Sequence, residues 1–187
     1  TEDNVNFDGE FYKLNNVNVD PMPIQKYGPP IWIGGRSDAA LRRTGRLGDG
    51  WLPSYLTPNE AKAGIKYIKQ YASEFGRSIP DDHYGVNMQF FIGSTKEEAL
   101  KLSSSYQALR RTDIAPEEYG AFGTTSQIVE RLREYMEGGV TKFVMKPVCS
   151  SEQLFSQLEL LANNVLTELQ TPFSEMEVKE RSGLITP

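Results

Sequence analysis

The chain has 187 residues, the length of one ordinary domain, of which 39% are hydrophobic and 24% charged. That mixture argues against wholesale disorder, and a net charge of −5 takes weight from nucleic-acid binding, which calls for a basic excess. No apolar run approaches the roughly 20 residues that span a bilayer, so no membrane role is expected.

The first residues, Thr1-Glu2-Asp3-Asn4, have neither the basic start nor the apolar core of a signal peptide. The one cysteine, Cys149, cannot make an internal disulfide or a cysteine-based zinc site, and no metal site is expected. The default compartment is the cytoplasm. Residues 1–30 read as an extended lead-in rich in Asn, Pro and Gly. Within it Phe7–Tyr12 suits a short strand or hairpin, and Pro21, Pro23, Pro29 and Pro30 forbid regular helix.

Four strand-then-helix units follow. The first strand is Ile31-Trp32-Ile33, ended by Gly34-Gly35, and its helix starts near Asp38 with Ala40, Leu41, Thr44 and Leu47 near one face. The second strand is Gly50-Trp51-Leu52. Its helix has Thr57 as cap, Pro58 at the first position and Glu60 completing a capping box. Ala61, Ile65, Ile68, Ala72 and Phe75 repeat every three or four residues, and Gly76 supplies a left-handed stop. In the third strand, Val86–Ile92, the residues Val86, Met88, Phe90 and Ile92 alternate with Asn87, Gln89 and Phe91. The helix after it begins near Ser94-Thr95, with Glu97 and Glu98 as box partners and Ala99, Leu102, Tyr106 and Leu109 as its stripe.

Residues 112–123 read as a loop. A further helix opens at Thr124-Thr125, carries Ile128, Leu132, Tyr135 and Met136, and ends at Gly138-Gly139. The fourth strand is Lys142–Lys146. The last helix starts at Ser150-Ser151 with Leu154, Leu158, Leu161, Val165 and Leu169 as its stripe, and 170–187 is a polar tail. The whole reads as one α/β domain.

Strands alternating with amphipathic helices imply parallel pairing in chain order. The periodicity leaves two architectures open, an open α/β sheet and half of an eight-unit barrel. A half barrel would leave two bare edges and an open face carrying Ile31, Ile33, Leu52, Val86 and Val144 or their neighbours. Such a surface predicts a homodimer or higher oligomer.

The run Pro29-Pro30-Ile31-Trp32-Ile33-Gly34-Gly35-Arg36-Ser37, followed by Arg46-Leu47-Gly48-Asp49-Gly50-Trp51-Leu52-Pro53, resembles the luciferase-like monooxygenase family. Phe7-Asp8-Gly9-Glu10-Phe11-Tyr12, Gly76-Arg77, and Gly123-Thr124-Thr125 leading to Gly138-Gly139-Val140 are similar as well. The likeness runs from about Phe7 to Leu169. It implies a (β/α)8 TIM barrel of which this chain carries only strands five to eight, and a flavin-type oxidoreductase. In one branch reduced FMN and oxygen oxidise a small organic substrate; in the other coenzyme F420 passes a hydride. FMN is placed slightly ahead. A non-catalytic flavin-binding or self-associating half barrel is the reading from another class. Catalytic residues would lie in the first half, so none is assigned.

Gly34-Gly35-Arg36-Ser37 links a strand to a helix N-terminus, where free N–H groups and the positive end of the helix dipole favour an anion. The resemblance implies the cofactor phosphate. The plainer reading is a tight turn in which Ser37 or Asp38 merely caps the helix, and a carboxylate at Asp38 would repel a phosphate. Trp51, Pro53 and Tyr55 stand at the C-terminal end of the second strand, where they can line a substrate pocket or pack in the core. Asp49 reads as a turn residue, His83 as a solvated loop histidine and Cys149 as a passive thiol. Lys146 can reach an anionic group. Arg42-Arg43 and Arg110-Arg111 read as solvated helix faces.

Overall fold

A computed structural model describes residues 4–26, 28–107 and 111–170. Leu109, Arg110 and the tail beyond residue 170 lie outside the described residues.

The chain opens with an antiparallel hairpin, β1 (Val5–Asp8) and β2 (Lys13–Val17), in which Phe7 faces Leu14. Parallel strands then begin. β3 (Trp32–Ile33) lies beside β4 (Gly50–Trp51), with Trp32 opposite Gly50 and Ile33 opposite Trp51. The chain beyond β4 touches β5 (Gly85–Ile92) through two single parallel bridges, Trp51 to Tyr84 and Ser54 to Asn87. β5 pairs with β7 (Lys142–Pro147) from Gly85–Lys142 to Phe90–Pro147. The expected neighbours are therefore parallel and in order. Two strands were not foreseen: β2, which lies beyond the Phe7–Tyr12 stretch expected as a strand or hairpin, and β6 (Ala121–Gly123), which pairs in parallel with Phe90–Ile92. β6 follows a single turn of helix, α4 (Pro116–Tyr119), so the stretch read as loop carries two elements. Three residues are too few to show a period-two pattern.

The helices form where their caps say. α1 (Asp38–Leu47) is capped by Ser37, and α2 (Pro58–Glu74) has both bonds of the Thr57–Glu60 capping box. α1 and α2 cross closely at Gly45, where a Cβ would stand 2.6 Å from the Cβ of Tyr71. α3 (Lys96–Ser103) is capped by Thr95, and α5 (Thr125–Glu137) has a Thr124–Gln127 box. α6 (Leu154–Leu161) continues through a π-helical stretch, Ala162–Leu166, into α7 (Thr167–Leu169).

The core lies between the sheet and these helices. Val86, Met88, Phe90 and Ile92 meet Ile65 and Ile68 of α2, Ile128, Leu132 and Tyr135 of α5, and Leu161 and Val165. Fully burying aliphatic side chains of this size stabilises by about 1.5–3 kcal/mol each. Several expected stripe residues stand outside it: Leu47, Phe75, Leu102, Tyr106, Met136, Leu154 and Leu158 are exposed. α3 ends at Ser103, so its buried residues are Ala99 and Ser103 rather than a longer stripe.

The opposite face of the sheet is open along β7, where Val144 and Lys146 are exposed, and covered at Gln89 of β5. A Cβ on Gly50 would collide with the ring of Trp32, and one on Gly85 would meet Leu52 Cδ1. Trp32 and Leu52 therefore stand on that face. Strand alternation and register place Asn87 and Gln89 of β5 beside Val144 and Lys146 of β7 there. One residue expected on this face is elsewhere: Ile33 points toward Gly48 at the end of α1, one residue out of register, which in a strand means the other face. At the Val86 position it is the neighbour Asn87 that stands on this face, while Val86 is in the helix-side core. The described strands do not close into a barrel. Among the described residues no helix is long and apolar enough to cross a membrane.

Candidate functional site

The loop from Gly34 to Ser37 leaves the C-terminal end of β3 and enters α1. Gly35 has φ +92°, a conformation that favours glycine, and a Cβ there would stand 3.0 Å from the Cβ of Ala40. The loop is fastened at three points. Trp51 Nε1 donates to the Gly35 carbonyl at 2.9 Å, Arg36 Nη1 donates to the Tyr55 carbonyl at 3.1 Å, and Ser37 Oγ accepts from Ala40 N–H at 3.3 Å. Ser37 thus caps the helix, as the plainer reading held. Its cap bond leaves the backbone N–H groups of Gly35, Arg36 and Ser37, which among the described residues have no acceptor. Asp38 is engaged elsewhere: it accepts the hydroxyl of Tyr71 on α2.

The aromatic residues after β4 divide. Trp51 is 1% exposed, and its indole fills the space opposite Gly64 of α2, so it belongs to the core and holds the loop from below. Pro53 is buried, and its carbonyl accepts from Asn87 N–H at 2.8 Å. Tyr55 is half-buried at φ +60° and meets the ring of Tyr119 edge to face, with centroids 5.6 Å apart. The segment is stitched down carbonyl by carbonyl, since Leu56 accepts from the Tyr135 hydroxyl at 2.5 Å.

Arg111 is the main departure from the sequence reading. It is not on a helix, because α3 has already ended, and its side chain is 7% exposed. Its Nη1 lies 2.9 and 2.7 Å from the two Glu60 oxygens and 3.2 Å from the Tyr55 carbonyl. Nε and Nη2 reach Asp113 at 3.1 and 2.5 Å. The hydrogen bonds to Asp113 and Glu60 raise the Arg111 pKa further above its ordinary value. Burial works to raise the Glu60 pKa, but Arg111 and the Thr57 N–H outweigh it and hold the carboxyl below its ordinary value. The Arg111 side chain brings Asp113 down to about 2. Tyr119 is 2% exposed, its hydroxyl has no partner among the described residues, and burial raises its pKa.

The remaining candidates fall outside this cluster. Asp49 is a turn residue as expected, accepting Ile31 N–H at 2.8 Å. His83 is not simply solvated: Nδ1 lies 2.6 Å from the Asp49 carbonyl and the ring tilts over Trp32. Arg42 pairs with Glu74 and stacks over Tyr71 and Phe75. Lys146 is exposed on the open face, opposite Gln89. Gln89 is 6% exposed, and its amide has no partner among the described residues. Cys149 packs beside Phe91, Ala99, Phe122 and Val148, and burial raises its thiol pKa.

A loop with three free N–H groups at a helix N-terminus, an adjoining arginine and a supporting shell can bind an anionic group. Comparisons with known proteins bear on which. A family model described as luciferase-like monooxygenase matches residues 1–121. An FMNH2-dependent dimethylsulfone monooxygenase of Pseudomonas putida is 30% identical over 124 residues, covering 66% of this chain and 32% of that protein. Among solved structures, the coenzyme F420-dependent tetrahydromethanopterin reductase of Methanopyrus kandleri superposes with a TM-score of 0.67 at 18% identity, over 90% of this chain and 59% of that one. A monooxygenase of Streptomyces bottropensis gives 0.69 at 14%, over 90% and 57%. At such identities the two structures speak to the fold. The chain thus spans about a third of the curated relative's length and rather more than half of the solved chains.

Proposed function

The chain belongs to the luciferase-like monooxygenase family, and from that membership we propose that it is the second half of a flavin-type oxidoreductase barrel whose Gly34, Gly35, Arg36 and Ser37 hold the phosphate of FMN. The observation that carries this reading is the set of N–H groups at Gly35, Arg36 and Ser37, which have no acceptor among the described residues and lie in the loop between the C-terminal end of β3 and the start of α1. The positive end of the helix dipole favours a phosphate there. The residues fit the group in two further respects. Gly35 has no side chain to stand in the way, and Asp38, the carboxylate that would repel a phosphate, is turned to Tyr71.

FMN, when bound, supplies two-electron chemistry at its ring, by which a small organic substrate is oxidised with oxygen. The protein's part is to bind, orient and shield. The loop anchors one end of the cofactor, Tyr55 and Pro53 wall the substrate pocket beside it, and Trp51 supports the loop from the core. F420 is the second reading, favoured by the likeness to the F420-dependent reductase; its phosphodiester would use the same N–H groups. The open sheet face, with Leu52 and Val144, is the surface against which the first four strands would close.

Flavin fluorescence quenching tests the loop. Gly35→Asp is expected to raise the FMN dissociation constant at least tenfold, about 1.4 kcal/mol. Gly35→Asn controls for backbone strain, because asparagine tolerates positive φ. An unchanged constant for Gly35→Asp would remove the loop from the site.

A further inference from the structure

We propose that Arg111 is a positioning residue for the Gly34–Ser37 loop, acting through the carbonyl of Tyr55; this rests on the phosphate reading of that loop. The Tyr55 oxygen accepts from two guanidinium groups at once, Arg36 at 3.1 Å and Arg111 at 3.2 Å. A carbonyl has two lone pairs, so both bonds fit. Tyrosine enters the left-handed region, here φ +60°, only where its surroundings hold it. Residues 111–119 hold it at both ends, Arg111 at the carbonyl and Tyr119 at the ring.

Arg111 is no spare anion site. Two carboxylates already neutralise it, and its side chain is 7% exposed. What it supplies is geometry. A planar fork fixed by Glu60 and Asp113 can present one N–H to Tyr55 in a single direction. Glu60 is also the capping-box partner of α2, so the fork is anchored to the scaffold. Tyr55 O in turn fixes the Arg36 guanidinium. Arg36 is exposed, and among the described residues its fork makes no other hydrogen bond, which leaves donors for a ligand.

The test compares the 187-residue chain with its Arg111→Gln, Arg111→Lys and Asp113→Asn variants. The last alters a side chain that is 61% exposed, so its fold should survive. Two measurements are made on each. One is 15N relaxation at the Gly35 and Arg36 amides and at Arg36 Nε without ligand. The other is the ratio of dissociation constants for riboflavin and FMN, which differ only by the phosphate. All three variants are expected to loosen the loop. Arg111→Gln and Arg111→Lys should reduce the preference for FMN at least fivefold while the riboflavin constant stays put. A residue that merely stabilised the fold would move both constants together, and that result overturns the proposal. So does unchanged relaxation at Gly35 and Arg36, or full rescue by lysine, since charge alone would then suffice. A wild-type chain that does not prefer FMN to riboflavin, or binds neither, overturns the phosphate reading and this proposal with it. In that case the relaxation data still report separately on whether Arg111 holds the loop.

Discussion

Asp113 shows how much of this site hangs on single side chains. Its carboxylate is exposed, yet the fork of Arg111 holds its pKa near 2. A carboxyl whose pKa is lower folded than unfolded contributes stability that is complete above the ordinary carboxylate range. That contribution is lost as pH falls through about 2. NMR titration of the Asp113 carboxyl should therefore find a midpoint well under 3, and an ordinary midpoint near 4 would mean the pair does not form in solution. Arg111 could not be read from the sequence. Its partners Glu60 and Tyr55 lie 51 and 56 residues away, and spacing rules see only neighbours three or four apart. The loop at Gly34–Ser37 was legible for the opposite reason: two glycines, a capping serine and the start of α1 are adjacent in the chain.

At the level of elements, the local signals held and the distant ones were hidden. Caps and strand starts depend on residues within one turn, so Thr57, Thr95 and Thr124 mark their helices correctly. The last helix shows the limit. Leu154, Leu158, Leu161 and Val165 read as its buried stripe, but Leu154 and Leu158 are exposed while Gln157 is 5% exposed. Apolar residues run round most of α6, so the period could not choose a face. Gln157 is buried because its amide completes β5 beyond the reach of β7. It accepts Ile92 N–H at 2.7 Å and donates to Ile92 O at 2.8 Å. Gln157→Leu would orphan both groups, at about 1–3 kcal/mol each. Denaturant unfolding should register a loss of more than 2 kcal/mol; a loss under 1 would show that water takes the place of the amide.

The whole molecule has two unlike faces. One is covered by helices, while the other leaves Val144 47% exposed beside the half-buried Trp32 and Leu52, with Ile31 60% exposed at the sheet edge. Phe155 on α6 adds another exposed ring. Surfaces of this kind associate. The isolated chain is expected to form a homodimer or larger species with an interface on the order of 2,000 Å², of the obligate kind. Sedimentation at several concentrations decides; a folded monomer at micromolar concentration would show that the open face is satisfied within the chain. The two tryptophans stand one on each side of this divide, Trp51 dry in the core and Trp32 on the open face. They are consequently two optical probes with separate views. Closure of the open face should blue-shift the emission of Trp32 alone. In a Trp32→Phe chain the one remaining indole is hydrogen-bonded to Gly35, so its emission should respond to an anion seated in the loop, with no label attached. A silent Trp51 under saturating FMN would place the cofactor elsewhere.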